Sequence, residues 1–209
     1  MEKKAPYSEF GYKVFYKIRP ALKKLLKINV VGLENIPSTG GCILAANHRS
    51  HLDPPVLNII SPRPIIFLAK KELFEVPILG WIIRKAGAIP VKRDNRDLST
   101  IKKAISLLKE GYVIGIFPEG TRARPGEFRK PQPGVGYLIE KAKVPVIPIL
   151  IEGTDKILPV KSKFPKLFKY NIDVIIGKPI NFEGISSYEH VAEKVMHEIK
   201  KLKEVKRDG

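Results

Sequence analysis

Cysteine occurs once in the 209 residues, at Cys42, so neither an intramolecular disulfide framework nor a cysteine-only metal site can form. That usage fits a reducing compartment. No histidine, cysteine and carboxylate cluster has metal-ligand spacing, and no metal is expected. Long apolar runs are missing too. None reaches the roughly 18 residues of a spanning helix, and the lysine-rich N-terminus lacks the apolar core of a signal peptide, so any membrane contact is expected to be peripheral. Carboxylates are scarce, 21 against 38 lysines and arginines, which leaves a net charge of +17. Such a field gathers anionic partners: nucleic acid, an anionic bilayer or acidic small substrates. Charge alone does not choose among them, and a lysine-rich surface also suits a soluble or thermophilic protein. Repeats and low-complexity tracts are absent.

What remains is 44% hydrophobic, enough for one core and too little for two ordinary enzyme domains. From Tyr7 to Lys27, Phe10, Val14, Ile18 and Leu22 recur four apart, widened by Phe15, Leu25 and Leu26, with lysines and Arg19 elsewhere on the wheel. This reads as basic amphipathic helix that Pro20 should kink or divide in two. It could lie on a bilayer as an anchor or pack on its own domain. The expected organisation is residues 1–29 as N-terminal amphipathic membrane-binding helices and 30–209 as the main domain.

Apolar runs at Cys42–Ala46, Ile65–Ala69, Tyr112–Phe117, Val146–Ile151 and Ile172–Ile176 are predicted strands. Between them, Leu98, Ile101, Ile105 and Leu108 give one helix face ending at Gly111, and 134–142 reads as another helix. A last helix starts at Ser186, with Glu189 completing a capping box, and buries Val191, Ala192, Val195, Ile199 and Leu202, leaving His190 and His197 on the surface. Alternating strands and helices predict an α/β fold: a single-domain mixed sheet flanked by helices. The basic, proline-rich stretch from Arg122 to Pro133 reads as one long loop.

Chemistry concentrates where strands give way to helices. The run Asn47-His48-Arg49-Ser50-His51-Leu52-Asp53-Pro54 follows a strand, the position at which α/β sheets build sites. On a regular helix His48 and Asp53 would point apart, so they can meet only across a turn. If they meet, Asp53 fixes the imidazole tautomer and the second ring nitrogen can take a proton from an alcohol. The competing explanation makes Asp53 a helix N-cap before Pro54. Ser50 could be a nucleophile, but no Gly-x-Ser-x-Gly elbow surrounds it. A second cluster, Phe117-Pro118-Glu119-Gly120-Thr121-Arg122, places a permissive glycine beside a forked cation suited to phosphate or carboxylate. Gly87 to Arg93 ends a third run with two cations, and Arg93 could join Arg122 around one phosphate. Solvated surface charge is the bland alternative for each arginine.

Together these residues resemble the glycerolipid acyltransferase family that includes bacterial lysophosphatidic acid acyltransferases. The similarity covers Val30 to Ile151 in four ordered blocks. His48 to Asp53 matches the family's His-x4-Asp, Gly87 to Arg93 its second block, Phe117 to Arg122 its Phe-Pro-Glu-Gly-Thr-Arg, and Val144 to Pro148 its fourth. The resemblance implies transfer of an acyl chain from a thioester to the sn-2 hydroxyl of lysophosphatidic acid. His48 would be the general base and Asp53 its orienting partner, with no acyl-enzyme. Gly87, Arg93, Glu119, Gly120, Thr121 and Arg122 would hold the glycerol phosphate. Pro145 and Val146 would shape the acyl site or simply form a buried strand. Two positions depart from the pattern: Pro90 replaces an aromatic or aliphatic residue, and the loop from Lys130 to Gly134 is longer than usual, which weakens Lys130 as a phosphate ligand.

The implied partners are lysophosphatidic acid, an acyl carrier protein or coenzyme A thioester, and the anionic surface at the cytoplasmic face of the membrane, with no cofactor beyond the thioester co-substrate. Within the same chemistry, the acceptor could be glycerol 3-phosphate, another lysophospholipid or an ornithine-lipid precursor. A noncatalytic basic module is the rival class. Nucleic acid is not expected, because the aromatics sit in apolar runs and no recognition motif appears.

Overall fold

In a computed structural model the described residues are 5–91, 98–159, 162, 165–166, 168–182 and 187–205. The β-branched and leucine-rich runs form a seven-stranded sheet: β1 (Ile28–Val31), β2 (Cys42–Ala46), β3 (Ile65–Lys70), β4 (Ile89–Val91), β5 (Val113–Ile116), β6 (Val146–Glu152) and β7 (Ile172–Ile176). Their spatial order is β1-β7-β6-β2-β5-β3-β4. Every pair is parallel except β6 with β7, which makes the sheet mixed. β2 is buried along its whole length, and its neighbours on both sides run parallel to it. Continuous apolar runs are what such doubly covered strands require.

The sheet separates two cores, because successive strand side chains point to opposite faces. Ile43 and Ala45 face one core together with Ala104, Leu108, Leu138, Ile139, Val191 and Val195. Those residues come from α4 (Leu98–Lys109), α5 (Pro133–Ala142) and α7 (Tyr188–Val205). Cys42, Leu44 and Ala46 face the other, with Val56 and Leu57 of α2 (Asp53–Ile60). Two further short helices, α3 (Leu79–Lys85) and α6 (Thr154–Ile157), follow β3 and β6.

The N-terminal expectation needs correction. Instead of two helices divided at Pro20, one 17-residue helix, α1 (Glu9–Leu25), contains the proline. Contacts on both sides of Pro20 override the missing hydrogen bond. Phe15, Leu22 and Leu26 pack against the second core, the buried Tyr12 hydroxyl donates to the Ile65 carbonyl, and Arg19 donates to the Ser61 carbonyl at 2.6 Å. The 29/30 boundary falls inside β1. Among the described residues no helix is long and apolar enough to cross a membrane.

Smaller adjustments follow from packing. Leu98 is exposed, and the buried face of α4 is Thr100, Ala104, Leu107 and Leu108. α7 begins at Tyr188, where the Ser187 hydroxyl accepts from the His190 N–H, while Ser186 lies outside the described residues. Its buried face contains all five residues expected from the sequence, and His190 and His197 are exposed.

Candidate active site

Strand order brings together residues far apart in sequence. β5, β2 and β6 are adjacent and parallel, with Ala45 beside Ile116 and Ala46 beside Ile149. The chain therefore leaves all three strands at one edge, the carboxyl edge where α/β proteins place their chemistry. The loop after β2 supplies His48 and Asp53, the loop after β5 supplies Glu119 to Arg122, and the turn after β6 supplies Thr154.

His48 and Asp53 meet across a turn closed by the Asp53 N–H on the Ser50 carbonyl. His48 Nδ1 lies 2.8 Å from Asp53 Oδ2. The same carboxylate oxygen accepts the backbone N–H groups of Arg49 at 2.7 Å and Ser50 at 2.8 Å. The other oxygen, Oδ1, accepts the Thr154 hydroxyl at 2.6 Å. Asp53 is fully buried, and these donors offset the desolvation of its charge. The N-cap alternative does not describe this geometry. Asp53 lies inside α2, and its carboxylate reaches back to N–H groups of the preceding turn.

The imidazole stacks on the Phe117 ring at a centroid distance of 4.1 Å, and Phe67 stacks on the far side of Phe117 at 5.8 Å. With Nδ1 committed to Asp53 and 17% of the side chain exposed, Nε2 is the nitrogen available to a substrate. The arrangement can accept a proton from a hydroxyl and stabilise the resulting imidazolium.

Glu119 is buried and joins the two loops. Its Oε1 accepts the His48 N–H at 3.0 Å and its Oε2 the Arg129 N–H at 2.8 Å, while the Ala123 N–H donates to the His48 carbonyl. Both carboxylate oxygens thus hold backbone in place. Gly120, at φ +66°, closes the turn with its N–H on the Phe117 carbonyl, and a Cβ there would lie 2.9 Å from Gln132 Cγ. Thr121 is exposed beside it. Arg122 Nη1 donates to His51 Nε2, so His51 is neutral in this contact. Burial pushes the His51 pKa below its usual value, and the charges of Arg122 and His48 push it further the same way.

The remaining sequence-predicted residues lie elsewhere. Gly87, at φ +76°, ends α3 and packs where a Cβ would come 2.7 Å from the Pro6 carbonyl oxygen, a packing reason for glycine. Arg93 lies outside the described residues. Lys130 is exposed and faces Glu193 of α7 at 3.9 Å. Pro145 receives the Ile43 N–H on its carbonyl, and Val146 pairs with Ile43, five positions before His48 and roughly 16 Å down the strand. Both belong to the opposite end of the sheet. Ser50 is buried, and its hydroxyl donates to the Leu158 carbonyl at 2.8 Å, while burial raises the Cys42 thiol to about 11. Neither is poised as a nucleophile.

Three residues escaped the sequence reading. Thr154 completes the shell of Asp53. Asn47 bridges β2 to β6 by a reciprocal pair with the Ile151 backbone, at 2.9 and 2.7 Å. Buried Arg49 donates to the Glu127 carbonyl and lies over the Phe128 ring, tying down the long loop. A short polar residue just after a third parallel strand was the only signal for Thr154. Among the described residues no group of three or more histidines, cysteines and carboxylates could hold a metal ion.

Comparison with known proteins places the chain in a family. The chain is 35% identical over 181 residues to a 1-acyl-sn-glycerol-3-phosphate acyltransferase of Bacillus subtilis, covering 82% of this chain and 86% of that one. It is 38% identical over 158 residues to a chloroplastic protein of the same name from Arabidopsis thaliana, covering 74% of this chain but 44% of the relative. The chain thus spans less than half the length of the plant proteins it matches. The crystal structure of the PlsC acyltransferase of Thermotoga maritima superposes with a TM-score of 0.74 at 27% identity, over 92% of this chain and 78% of that one. The model of the Acyltransferase family matches residues 27–152, a span that runs from β1 to the last residue of β6 and includes both loops meeting at His48. With more than half its length inside that match, the chain belongs to the acyltransferase family.

Proposed function

We propose that the protein is a 1-acyl-sn-glycerol-3-phosphate O-acyltransferase, transferring a fatty acyl chain from an acyl carrier protein or coenzyme A thioester to lysophosphatidic acid to give phosphatidic acid. The observation that carries the reading is the His48–Asp53 contact, with every other hydrogen bond to Asp53 supplied by a fixed donor. In this mechanism His48 Nε2 takes the proton of the sn-2 hydroxyl as its oxygen attacks the thioester carbonyl carbon. The tetrahedral intermediate then expels the thiolate, which recovers the proton from His48. Asp53 holds the imidazole and stabilises its protonated form. No acyl-enzyme is required, in keeping with the engaged Ser50 hydroxyl and the buried Cys42.

Arg122, half-buried at the rim next to His51, supplies positive charge for the acceptor phosphate, with Thr121 and the Gly120 turn beside it. Glu119 contributes by fixing the His48 backbone rather than by touching phosphate, since its two oxygens are occupied and like charges repel. The enzyme would work as a peripheral protein on the cytoplasmic face of the membrane, where its single-chain acceptor resides. One side of α1 supports this placement: Phe10, Val14 and Ile18 remain exposed although Tyr12, Phe15 and Leu22 pack inward.

The test is to incubate wild type and His48→Ala with labelled lysophosphatidic acid, liposomes and either thioester, following phosphatidic acid by mass spectrometry. Wild-type product with a loss of roughly a hundredfold or more in the folded variant supports the assignment and identifies the donor. Equal product from both excludes His48 as the base. Absence of product from wild type with either donor removes the acceptor assignment.

A further inference from the structure

A second apolar surface lies outside the catalytic edge, and none of the described residues buries it. Between β3 and β4, Val76, Ile78, Leu79, Trp81 and Ile82 are all exposed, Ile78 by 77% and Trp81 by 65%. Large apolar side chains left exposed together in one short segment mark an interaction site. The segment is held in this presentation. Arg84 donates through both terminal nitrogens to the Phe74 carbonyl and lies over the Phe74 ring. Ile78 has φ 60° and ψ −59°, in a three-residue turn closed by the Leu79 N–H on the Pro77 carbonyl. That conformation is rare and strained for a β-branched residue.

This surface adjoins α1. The Ser8 N–H at the start of α1 donates to the Lys85 carbonyl at the end of α3, at 2.9 Å. Exposed cations flank both helices, Lys13, Lys17, Lys23 and Lys24 on α1 and Lys71, Arg84 and Lys85 around α3, and they outnumber the exposed carboxylates Glu9, Glu72 and Glu75 in the same stretches. An apolar strip bordered by lysines is the pattern of an element that enters an anionic leaflet. We propose that α3 and the turn before it form a second bilayer-insertion element beside α1, placing Ile78, Trp81 and Ile82 among the acyl chains of an anionic leaflet. The proposal rests on the membrane-surface part of the proposed function and is independent of the chemistry at His48.

Two-point attachment defines an orientation, which a single helix does not. α3 follows β3, and β3 carries Phe67, whose ring stacks on Phe117 and through it on His48. Insertion of α3 therefore brings the leaflet to the side of the molecule from which β3 leads to the imidazole. The basic surface also suits an acidic carrier protein, and the apolar one a second copy of this chain. Both remain as outcomes of the test. The bilayer is favoured because α1 and α3 are joined at the Ser8–Lys85 hydrogen bond, both carry exposed apolar residues, and exposed cations outnumber carboxylates along the two helices.

Trp81 is the only tryptophan in the chain, so its fluorescence reports this site alone. The full-length protein is mixed with vesicles of phosphatidylglycerol and phosphatidylcholine, with and without lipids brominated on their acyl chains. The emission of Trp81 is expected to move to shorter wavelength and to be quenched by the brominated lipid. Ile78→Ser combined with Ile82→Ser, checked for folding by circular dichroism, is expected to weaken vesicle binding roughly tenfold or more. Phe10→Ser, with Trp81 retained, serves as the α1 control and should weaken binding separately. Vesicle binding without any change or quenching of Trp81 overturns the proposal while leaving α1 as an anchor. No vesicle binding overturns both. A blue shift produced without lipid, by carrier protein or by raised protein concentration with a dimer on light scattering, assigns the surface to a protein partner and also overturns it. Product formation on detergent-dispersed lysophosphatidic acid separates each of these results from failure of the catalytic reading.

Discussion

The carboxyl edge of β5, β2 and β6 and the outer face of α1 and α3 violate the usual partition of side chains in opposite ways. At the first, charged and polar groups are inside: Asp53, Glu119, Asn47, Ser50 and Arg49 are all buried. At the second, large apolar groups are outside, Phe10, Ile78 and Trp81 among them. The buried polar groups are matched to hydrogen-bond partners within the chain, so that region is complete and rigid without a ligand. The exposed apolar groups are not covered by any of the described residues, the pattern of a surface that meets something outside the chain. The difference teaches that the geometry around His48 is specified internally, whereas on the membrane proposal location is left to an external surface.

Substitutions test that division. The largest effect is expected for His48→Ala, a loss of about 10²- to 10⁴-fold in kcat/KM for acyl transfer with the fold retained, measured by product formation and circular dichroism. Glu119→Gln should act on the buried side through stability. Replacing an oxygen with an amide sets a donor against an N–H, and a loss of about 1–3 kcal/mol is expected in urea unfolding. If stability is unchanged but the KM for the acceptor rises, Glu119 touches substrate and the buried shell is less self-contained than its hydrogen bonds imply. Thr154→Val should lower kcat about tenfold by removing a hydrogen bond to the Asp53 carboxylate, with KM little changed and Thr154→Ser restoring activity. Loss of activity in the serine variant as well would point to packing instead of the hydroxyl.

The smallest effect concerns the rim of the catalytic edge, at His51. His51 has a folded-state pKa below its unfolded value, so the unfolded chain binds more protons in the interval between the two. Its contribution to stability is therefore present above about pH 6.5 and is lost as pH falls from there toward the lower folded value. Titration of the His51 ring by NMR should give a midpoint below the usual range, moving upward in Arg122→Ala. An unchanged midpoint would remove the Arg122 guanidinium as a cause.

How legible all this was in sequence depended on whether a feature is local. Cys42–Ala46 and Val146–Ile151 declared themselves because central strands covered on both faces are continuously apolar. β1 did not, since only Ile28 of its four residues is buried and an edge strand carries little pattern. Pro90 is tolerated because β4 is the opposite edge, where a missing N–H leaves no ladder unpaired. The His48–Asp53 pairing could be argued from a turn five residues long, but Thr154 reaches Asp53 only through the order of strands, which no local spacing encodes. On α1 a four-residue period predicted one apolar stripe. The helix instead presents two, one packed and one exposed, and Pro20 broke neither because both halves are held by the core.

The position of β5 has a further consequence, for the order in which the chain can fold. β2 and β3 are consecutive strands but do not pair, because β5 occupies the slot between them. During synthesis the first half of the sheet must therefore wait with two unpaired edges until residue 116 has emerged, and the β6 edge of β2 stays open longer still. Such nonlocal closure is slow, and open apolar edges recruit neighbouring chains. The window in which this protein is most vulnerable to aggregation thus opens with β1 and shuts only when β7 docks between β1 and β6, after β6 has delivered Thr154 to Asp53.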